Sequence, residues 1–250
     1  SLTIALSIGY TIAYPAWPML SSETKGVLGY SSRNDVKNEL AAAEAAKGKY
    51  VAAIKAKTVS EIAADDALRE FAVAAGGATF KVNCVQCHGS GAQGSKGFPN
   101  LNDDDWLWGG KAEQVEQTIM HGIRFASDPD TRQSQMPAFG DIITVDQIKQ
   151  VSAYVASLSG QVQDASLVEP GAKVFAENCV ACHGANAKGN REFGAPDLTD
   201  AIWLYGSGET AIAAQVRAPK HGVMPAWVGR LGETKVKELA VYVHSLGGGE

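Results

Sequence analysis

The sequence predicts an all-α protein: the end of an apolar helix, then a helical linker, then two tandem helical modules. The first charged residue is Glu23, and the uncharged stretch before it is rich in leucine and isoleucine. An alanine-rich segment with scattered charges follows, and the remaining chain repeats one pattern twice. Because 250 residues allow one large domain or two small ones, the repeat decides in favour of two.

The composition excludes several classes of protein. Charged residues make up 20% of the chain and hydrophobic residues 45%, a balance typical of folded proteins. The formal net charge is −5, whereas a nucleic-acid-binding protein usually has a basic excess, so no nucleic-acid partner is expected. Four cysteines are too few for a disulfide scaffold, so their positions matter more than their number.

Residues 1–20 are expected to be the C-terminal part of a transmembrane anchor. The fourteen residues before Pro15 span about 21 Å as a helix, less than the roughly 30 Å of hydrocarbon in a bilayer. Tyr10, Tyr14 and Trp17 stand where an interfacial aromatic belt would lie. The alternative is a buried N-terminal helix of a soluble protein.

Residues 21–70 are interpreted as a helical linker, because the segment from Asn38 to Lys57 is rich in alanine and lysine. A long polar helix here could pack on a partner or hold the following domains away from the membrane. The sequence leaves both roles open.

From about residue 71 the chain repeats itself, which defines module 1 (residues 71–162) and module 2 (residues 163–250). The matching positions are Gly76, Phe80, Cys84, Cys87 and His88 with Gly171, Phe175, Cys179, Cys182 and His183, and then Pro99, Trp106, His121, Met136 and Tyr154 with Pro196, Trp203, His221, Met224 and Tyr242. The boundary falls in a polar stretch around residues 159–169.

Each module is predicted to end in an amphipathic helix. In module 1, Thr144 and Gln147 form a capping box, and apolar residues then recur at helical spacing. Upstream, Gly76 and Gly171 lie one turn before a phenylalanine, where a glycine would let a second helix approach closely. The equivalent tyrosines of the two last helices are the natural residues to fill that contact.

All four cysteines fall in two Cys-x-x-Cys-His motifs, the attachment signature of covalent c-type haem. Cys84 and Cys87, like Cys179 and Cys182, can each form a thioether to one haem. The next residue, His88 or His183, then presents an imidazole to the iron. A zinc site would need four ligands for each metal, and a redox dithiol would need a βαβ pattern that the sequence lacks.

Met136 and Met224 are the expected sixth ligands, because each precedes a proline in a loop just before the last helix of its module. A single methionine is more often a packing residue, but two Met-Pro pairs at matching places favour ligation. His121 and His221 are rival ligands. The default assignment keeps each methionine with its own module, and crossed ligation stays open.

Four further residues are expected around the two haems. The carbonyls of Pro99 and Pro196 could accept the Nδ1 hydrogen bond that orients an iron-bound imidazole. Trp106 and Trp203 could line the haem and donate an indole N–H, or serve as plain core aromatics. Module 1 also carries an insertion of about 12 residues between His121 and Met136, whose role the sequence does not indicate.

These motifs resemble class I cytochrome c modules, and the whole chain resembles the CcoP (FixP) family of dihaem subunits of cbb3-type cytochrome c oxidases. The resemblance implies two covalently bound haem c groups, with His88 and His183 as proximal ligands and Met136 and Met224 as axial methionines. It also implies partners: the catalytic and monohaem subunits of a membrane oxidase, and a soluble donor cytochrome c.

The resulting hypothesis is an electron-transfer subunit anchored in a bacterial inner membrane, with its haem domains in the periplasm. Such a chain would do no bond-making chemistry itself, because iron held by histidine and methionine has no open position for oxygen. The alternatives are a dihaem peroxidase-type enzyme, which needs one five-coordinate haem, and a free dihaem shuttle.

Overall fold

The computed structural model describes residues 2–19 and 24–248. Ser1, residues 20–23 and residues 249–250 lie outside it, and with them parts of the predicted anchor and linker. The α-helices are α1 (Leu2–Ala13), α2 (Ser32–Ala56), α3 (Val59–Ala64), α4 (Asp66–Asn83), α5 (Val85–His88), α6 (Ala112–His121), α7 (Val145–Leu158), α8 (Val168–Asn178), α9 (Val180–His183), α10 (Glu209–Arg217), α11 (Val228–Leu231) and α12 (Glu233–His244). The described chain is helical, as predicted, and its β-pairing is limited to isolated bridges.

Residues 1–52 form one compact unit that contains α1. No described residue of α1 is buried, and Leu2 is 77% exposed, so its apolar side chains face outward. In the described ranges, no helix combines the length and apolarity needed to cross a bilayer. The transmembrane anchor therefore stays a prediction.

Residues 53–250 form the second unit, and its packing begins within the predicted linker. Ile54, Val59 and Ile62 are fully buried. Thr58 caps α3 in a capping box with Glu61, and Asp65 then caps α4 by accepting a hydrogen bond from the Leu68 N–H. The end of the segment predicted as linker is thus part of the packed body that carries the repeats.

The second unit consists of two lobes that do not follow the order of the modules. In lobe A, α4 and α6 of module 1 pack against α12 of module 2. In lobe B, α7 of module 1 packs against α8 and α10 of module 2. Each lobe therefore combines the haem-motif half of one module with the last helix of the other.

Glycines make both exchanged helix contacts possible. Gly76 of α4 lies against the Glu238 backbone and Tyr242 of α12, and Gly171 of α8 lies against the Gln150 backbone and Tyr154 of α7. A side chain at either glycine would overlap the opposing backbone. The predicted glycine–tyrosine contact is present twice, and in both cases the partner helix comes from the other module.

The last helix of module 1 begins and packs as the sequence predicts. Thr144 and Gln147 form the expected capping box, and α7 runs from Val145 to Leu158. The predicted apolar stripe faces inward, with Ile148 2% and Val151 1% exposed. The amphipathic pattern thus identified the helix correctly, although not the module on which it packs.

A reciprocal pair of aromatic contacts joins the lobes. Tyr205 lies 3.5 Å from the position that a Cβ would take at Gly97, and the Trp108 ring covers Gly194 in the equivalent contact. The Gly97 N–H also donates to the Leu204 carbonyl at 2.8 Å. At Gly194 the Trp108 ring occupies the space of a side chain, and at Gly97 the φ of 90° favours glycine.

The chain crosses between the lobes at two neighbouring places. The module 1 insertion, residues 124–135, leads from lobe A to lobe B, and residues 222–223 lead back. Ile123 and Met224 pair at the crossing, with N···O distances of 2.9 and 3.0 Å in the two directions. The loops that carry Met136 and Met224 therefore pass close to the same point.

Candidate haem sites

Two cavities contain the candidate ligands, one in each lobe. Cavity A, in lobe A, is lined among others by Cys84, His88, Trp106 and Met224. Cavity B, in lobe B, is lined among others by Cys179, Cys182, His183, Trp203 and Met136. Each cavity thus combines the histidine of one module with the methionine of the other, and the default of one module per site does not match this arrangement.

The crossed pairing follows directly from the exchanged helices. Each methionine precedes the last helix of its own module, α7 or α12, in the chain. Because α7 packs in lobe B and α12 in lobe A, each methionine loop enters the lobe of its helix. The two methionines were found by sequence reasoning, but their cavities depend on which helices pack together.

Both candidate proximal histidines make the predicted hydrogen bond. The Nδ1 atom of His88 lies 3.1 Å from the Pro99 carbonyl oxygen, and that of His183 lies 3.2 Å from the Pro196 carbonyl oxygen. A donating Nδ1–H leaves Nε2 unprotonated and able to bind a metal. Burial lowers the pKa of both imidazoles, which favours the neutral form that ligation requires.

The first cysteine of each motif stands at the N-terminus of a short helix, and the second lies within that helix. Cys84 lines cavity A, whereas Cys179 and Cys182 both line cavity B. Each histidine follows one turn after the first cysteine of its motif, in α5 or α9. Burial raises the pKa of Cys84 and of Cys179 to about 11, and the neighbouring cysteine adds to the effect. Both side chains are therefore neutral thiols at pH 7.

The two tryptophans line their cavities, as expected, but differ in hydrogen bonding. The indole N–H of Trp106 donates to the carbonyl of Gly248. The indole nitrogen of Trp203 is buried and has no hydrogen-bond partner in the described chain. An unpaired buried N–H beside a cavity is costly unless a bound group accepts it.

The two rival histidines are hydrogen-bonded to other groups of the chain. The Nδ1 atom of His121 lies 3.1 Å from the Asp128 carboxylate, and His121 is not among the residues that line either cavity. His221 does line cavity B, but its Nε2 lies 3.1 Å from the Met136 carbonyl oxygen. In this arrangement the His221 ring contacts the loop that carries Met136.

The two cavities share a thin wall, formed by Pro99, Asn100, Asp105 and Leu107, which line both. Pro99 therefore orients the histidine of one cavity while it also borders the other. Asp105 brings a carboxyl group into this wall. Burial raises its pKa from the usual 3.8 to about 6, and the nearby Asp200 adds to the shift.

This raised pKa predicts a loss of stability with rising pH. Between about pH 4 and pH 6, Asp105 keeps its proton in the folded chain but loses it in the unfolded chain, so the free energy of unfolding falls as pH rises through this window. We expect urea titrations of Asp105→Asn to show a smaller fall in the free energy of unfolding across this window. The variant Asp104→Asn, which changes an exposed residue, should show the full fall. Parallel curves for all three proteins would contradict the prediction.

The donor set and the cavities suit a covalently attached tetrapyrrole. Each cavity offers an imidazole with a free Nε2 and a thioether; cavity A adds the Cys84 thiol, and cavity B adds both thiols of its motif and the unpaired Trp203 N–H. The volume of cavity B is about 550 Å³, within the range of roughly 300–1,000 Å³ for ligand sites. Cavity A is smaller, with a volume of about 110 Å³, so its walls must separate to admit a tetrapyrrole.

A family model described as "Cytochrome C oxidase, cbb3-type, subunit III" matches residues 71–155 and 166–243, which together cover more than half of the chain. The chain belongs to this family. The two matched segments agree with the two repeats in the sequence. Membership implies covalently bound haem c, and two matched segments are consistent with two such groups.

Similar proteins carry related names. The chain is 62% identical to the cbb3-type cytochrome c oxidase subunit FixP of Sinorhizobium medicae (strain WSM419), over 99% of this chain and 86% of that protein. It is 60% identical to FixP of Rhizobium meliloti (strain 1021), with the same coverage. It is 48% identical to subunit CcoP of Cereibacter sphaeroides (strain ATCC 17023), over 100% of this chain and 87% of that protein.

Sequence reasoning missed two features of the subunit III sites. Trp108 and Tyr205 occupy equivalent places in the repeat, so the repeat contained a signal for the aromatic contacts between the lobes. The chain crossing near Ile123 had no such signal, because the sequence of each methionine loop would fit either lobe equally well.

Proposed function

We propose that this chain is a membrane-anchored dihaem c-type cytochrome that passes electrons from a soluble donor cytochrome to the catalytic subunits of a cbb3-type terminal oxidase. One observation carries the proposal: each of the two cavities is lined by the histidine and at least one cysteine of a Cys-x-x-Cys-His motif together with a methionine. The named relatives are oxidase subunits, which supports the same role here.

We assign the ligands by cavity. His88 and Met224 would hold the iron in cavity A, and His183 and Met136 the iron in cavity B, while the cysteines would fix each group covalently. A bound haem c supplies one-electron oxidation and reduction. The chain's own residues orient the imidazoles through the proline carbonyls and surround the sites with apolar side chains, which limits solvent access.

The methionines argue against the enzymatic alternative. A dihaem peroxidase needs an open coordination position with an acid or base beside it. Here a methionine enters each cavity, and the nearest rival, His221, is hydrogen-bonded to the Met136 carbonyl. The chain would therefore accept and release electrons without binding oxygen itself.

Membrane anchoring is supported by the character of α1. Its side chains are apolar and exposed, including Ile4 at 61% and Leu6 at 65%, which is unfavourable in water and favourable in lipid. We place this helix in a bacterial inner membrane and the two lobes on the periplasmic side. A freely diffusing dihaem shuttle does not need an exposed apolar helix.

A donor with a basic surface would suit the acidic groups beside the shared wall. Asp103, Asp104 and Asp105 of module 1 lie near Asp197 and Asp200 of module 2, since these carboxyl groups influence one another's pKa values. Three of them, Asp103, Asp105 and Asp197, line cavity B. Opposite charges of this kind speed association, and their effect weakens with salt.

Purification of the native assembly from membranes tests the proposal. We expect the chain to co-purify in detergent with a copper-containing oxidase and to carry two haems, with a far-red iron–methionine band that accounts for both ferric irons. Release of the protein without detergent would favour the free shuttle. A high-spin ferric band, or carbon monoxide binding to the reduced chain, would favour the enzyme and refute the proposed role.

A further inference from the structure

Arg124 stands at the point where the two methionine loops meet. Its Nε donates to the Gly222 carbonyl at 2.8 Å, two residues before Met224. Its Nη1 donates to the Ser134 carbonyl at 2.7 Å, two residues before Met136. A single guanidinium group thus holds the equivalent carbonyl of both loops.

The surroundings keep this side chain in place. The Arg124 N–H donates to the Arg132 carbonyl at 2.7 Å, and the guanidinium lies 5.9 Å from the centre of the Trp108 ring. Arg124 also has a φ of 51°, which is uncommon for a residue other than glycine. The preceding residue, Ile123, pairs with the Met224 backbone. The planar fork of an arginine suits two acceptors in fixed directions, which a lysine cannot match.

From these contacts we infer that Arg124 is a positioning residue for both methionine loops, and that through it the two metal sites share one support. The inference rests on the proposed methionine ligation. Loss of this side chain frees both loops. His221 lies three residues before Met224 and its ring bonds the Met136 carbonyl, so it is a second link between the two loops.

The test uses the full-length holoprotein and four variants. Arg124→Gly removes the side chain and suits the left-handed backbone, and Arg124→Lys keeps the charge with a single donor group. Arg132→Gln is the matched control, since Arg132 stacks on the same Trp108 ring at 5.3 Å and its buried Nε has no partner in the described residues. His221→Ala breaks the second link between the loops and leaves both Arg124 hydrogen bonds in place.

Two measurements report on each iron separately. In the reduced protein, proton NMR gives one strongly shifted methyl signal for each bound methionine. In the oxidised protein, imidazole competes for the position that methionine occupies, so its apparent affinity rises with the methionine-free fraction. Loss of one hydrogen bond at each loop would tighten imidazole binding about tenfold at both irons.

We expect Arg124→Gly to weaken both methyl signals and tighten imidazole binding at both irons, and Arg124→Lys to do so in part. We expect Arg132→Gln to change neither site and His221→Ala to have a smaller effect than Arg124→Gly, because both Arg124 hydrogen bonds remain. An effect of Arg124→Gly at one iron or none, or an equal effect of Arg132→Gln, overturns the inference. A wild-type protein without two methionine signals refutes the proposed ligation itself, and the inference with it.

Discussion

Replacement of Met136 by leucine is expected to remove the proposed methionine ligand from the haem c that we propose at Cys179 and Cys182, in the other module. Met136 lines cavity B together with His183, so we expect its loss to open the iron proposed there and to leave the iron proposed beside His88 unchanged. We expect one of the two steps in a redox titration to fall on the order of 0.1 V or more, within the roughly 0.8 V range that axial ligands set.

The matched variant Met224→Leu should have the reciprocal effect, because Met224 lines cavity A with His88. Proton NMR of the reduced protein can assign each lost methyl signal through its contacts with Trp106 in cavity A or Trp203 in cavity B. If Met136→Leu removes the signal near Trp106 instead, each module keeps its own methionine and the crossed assignment is wrong.

Replacement of Gly76 by alanine will destabilise the fold through the last helix of the other module. A methyl group at this position overlaps the Glu238 backbone in α12, so the helices must separate. We expect the free energy of unfolding to fall by about 1–3 kcal/mol, the usual cost of overpacking. We expect amide hydrogen exchange to accelerate in α12, which belongs to module 2. Exchange in α7, which belongs to module 1 like Gly76, should stay unchanged.

Gly48→Ala is the matched control for this change. Gly48 also lies in a helix, α2, but nothing comes within 4 Å of its would-be Cβ. Alanine should stabilise that helix by about 0.5–1 kcal/mol, because glycine loses more backbone entropy on folding. Faster exchange in α7 after Gly76→Ala would show that the modules fold without exchanging helices.

The exchanged arrangement has a physical explanation in the connections between helices. Only nine residues separate the end of α7 at Leu158 from the start of α8 at Val168, and part of that link forms the 3₁₀ turn Ala165–Leu167. Short connections favour packing of consecutive helices against each other. Once α7 pairs with α8, α12 remains to cover the equivalent face of α4.

Much of each site could be predicted from local sequence. The proline positions predict the Nδ1 hydrogen bonds of the motif histidines, and the capping box at Thr144 predicts where α7 begins. These features succeed because each depends on residues close together in the chain. The support by Arg124 could not be predicted, since its two acceptors lie 10 and 98 positions away.

The amino-acid order alone determined the helices, the number of haem motifs and the types of candidate ligand, because spacing within a turn or a short loop sets each of them. Only the tertiary structure decided which methionine faces which histidine. The two last helices carry the same apolar stripe and the same tyrosine, so either fits against Gly76 or Gly171 on local grounds. The choice depends on connection lengths and on contacts between distant residues, which a repeated sequence does not distinguish.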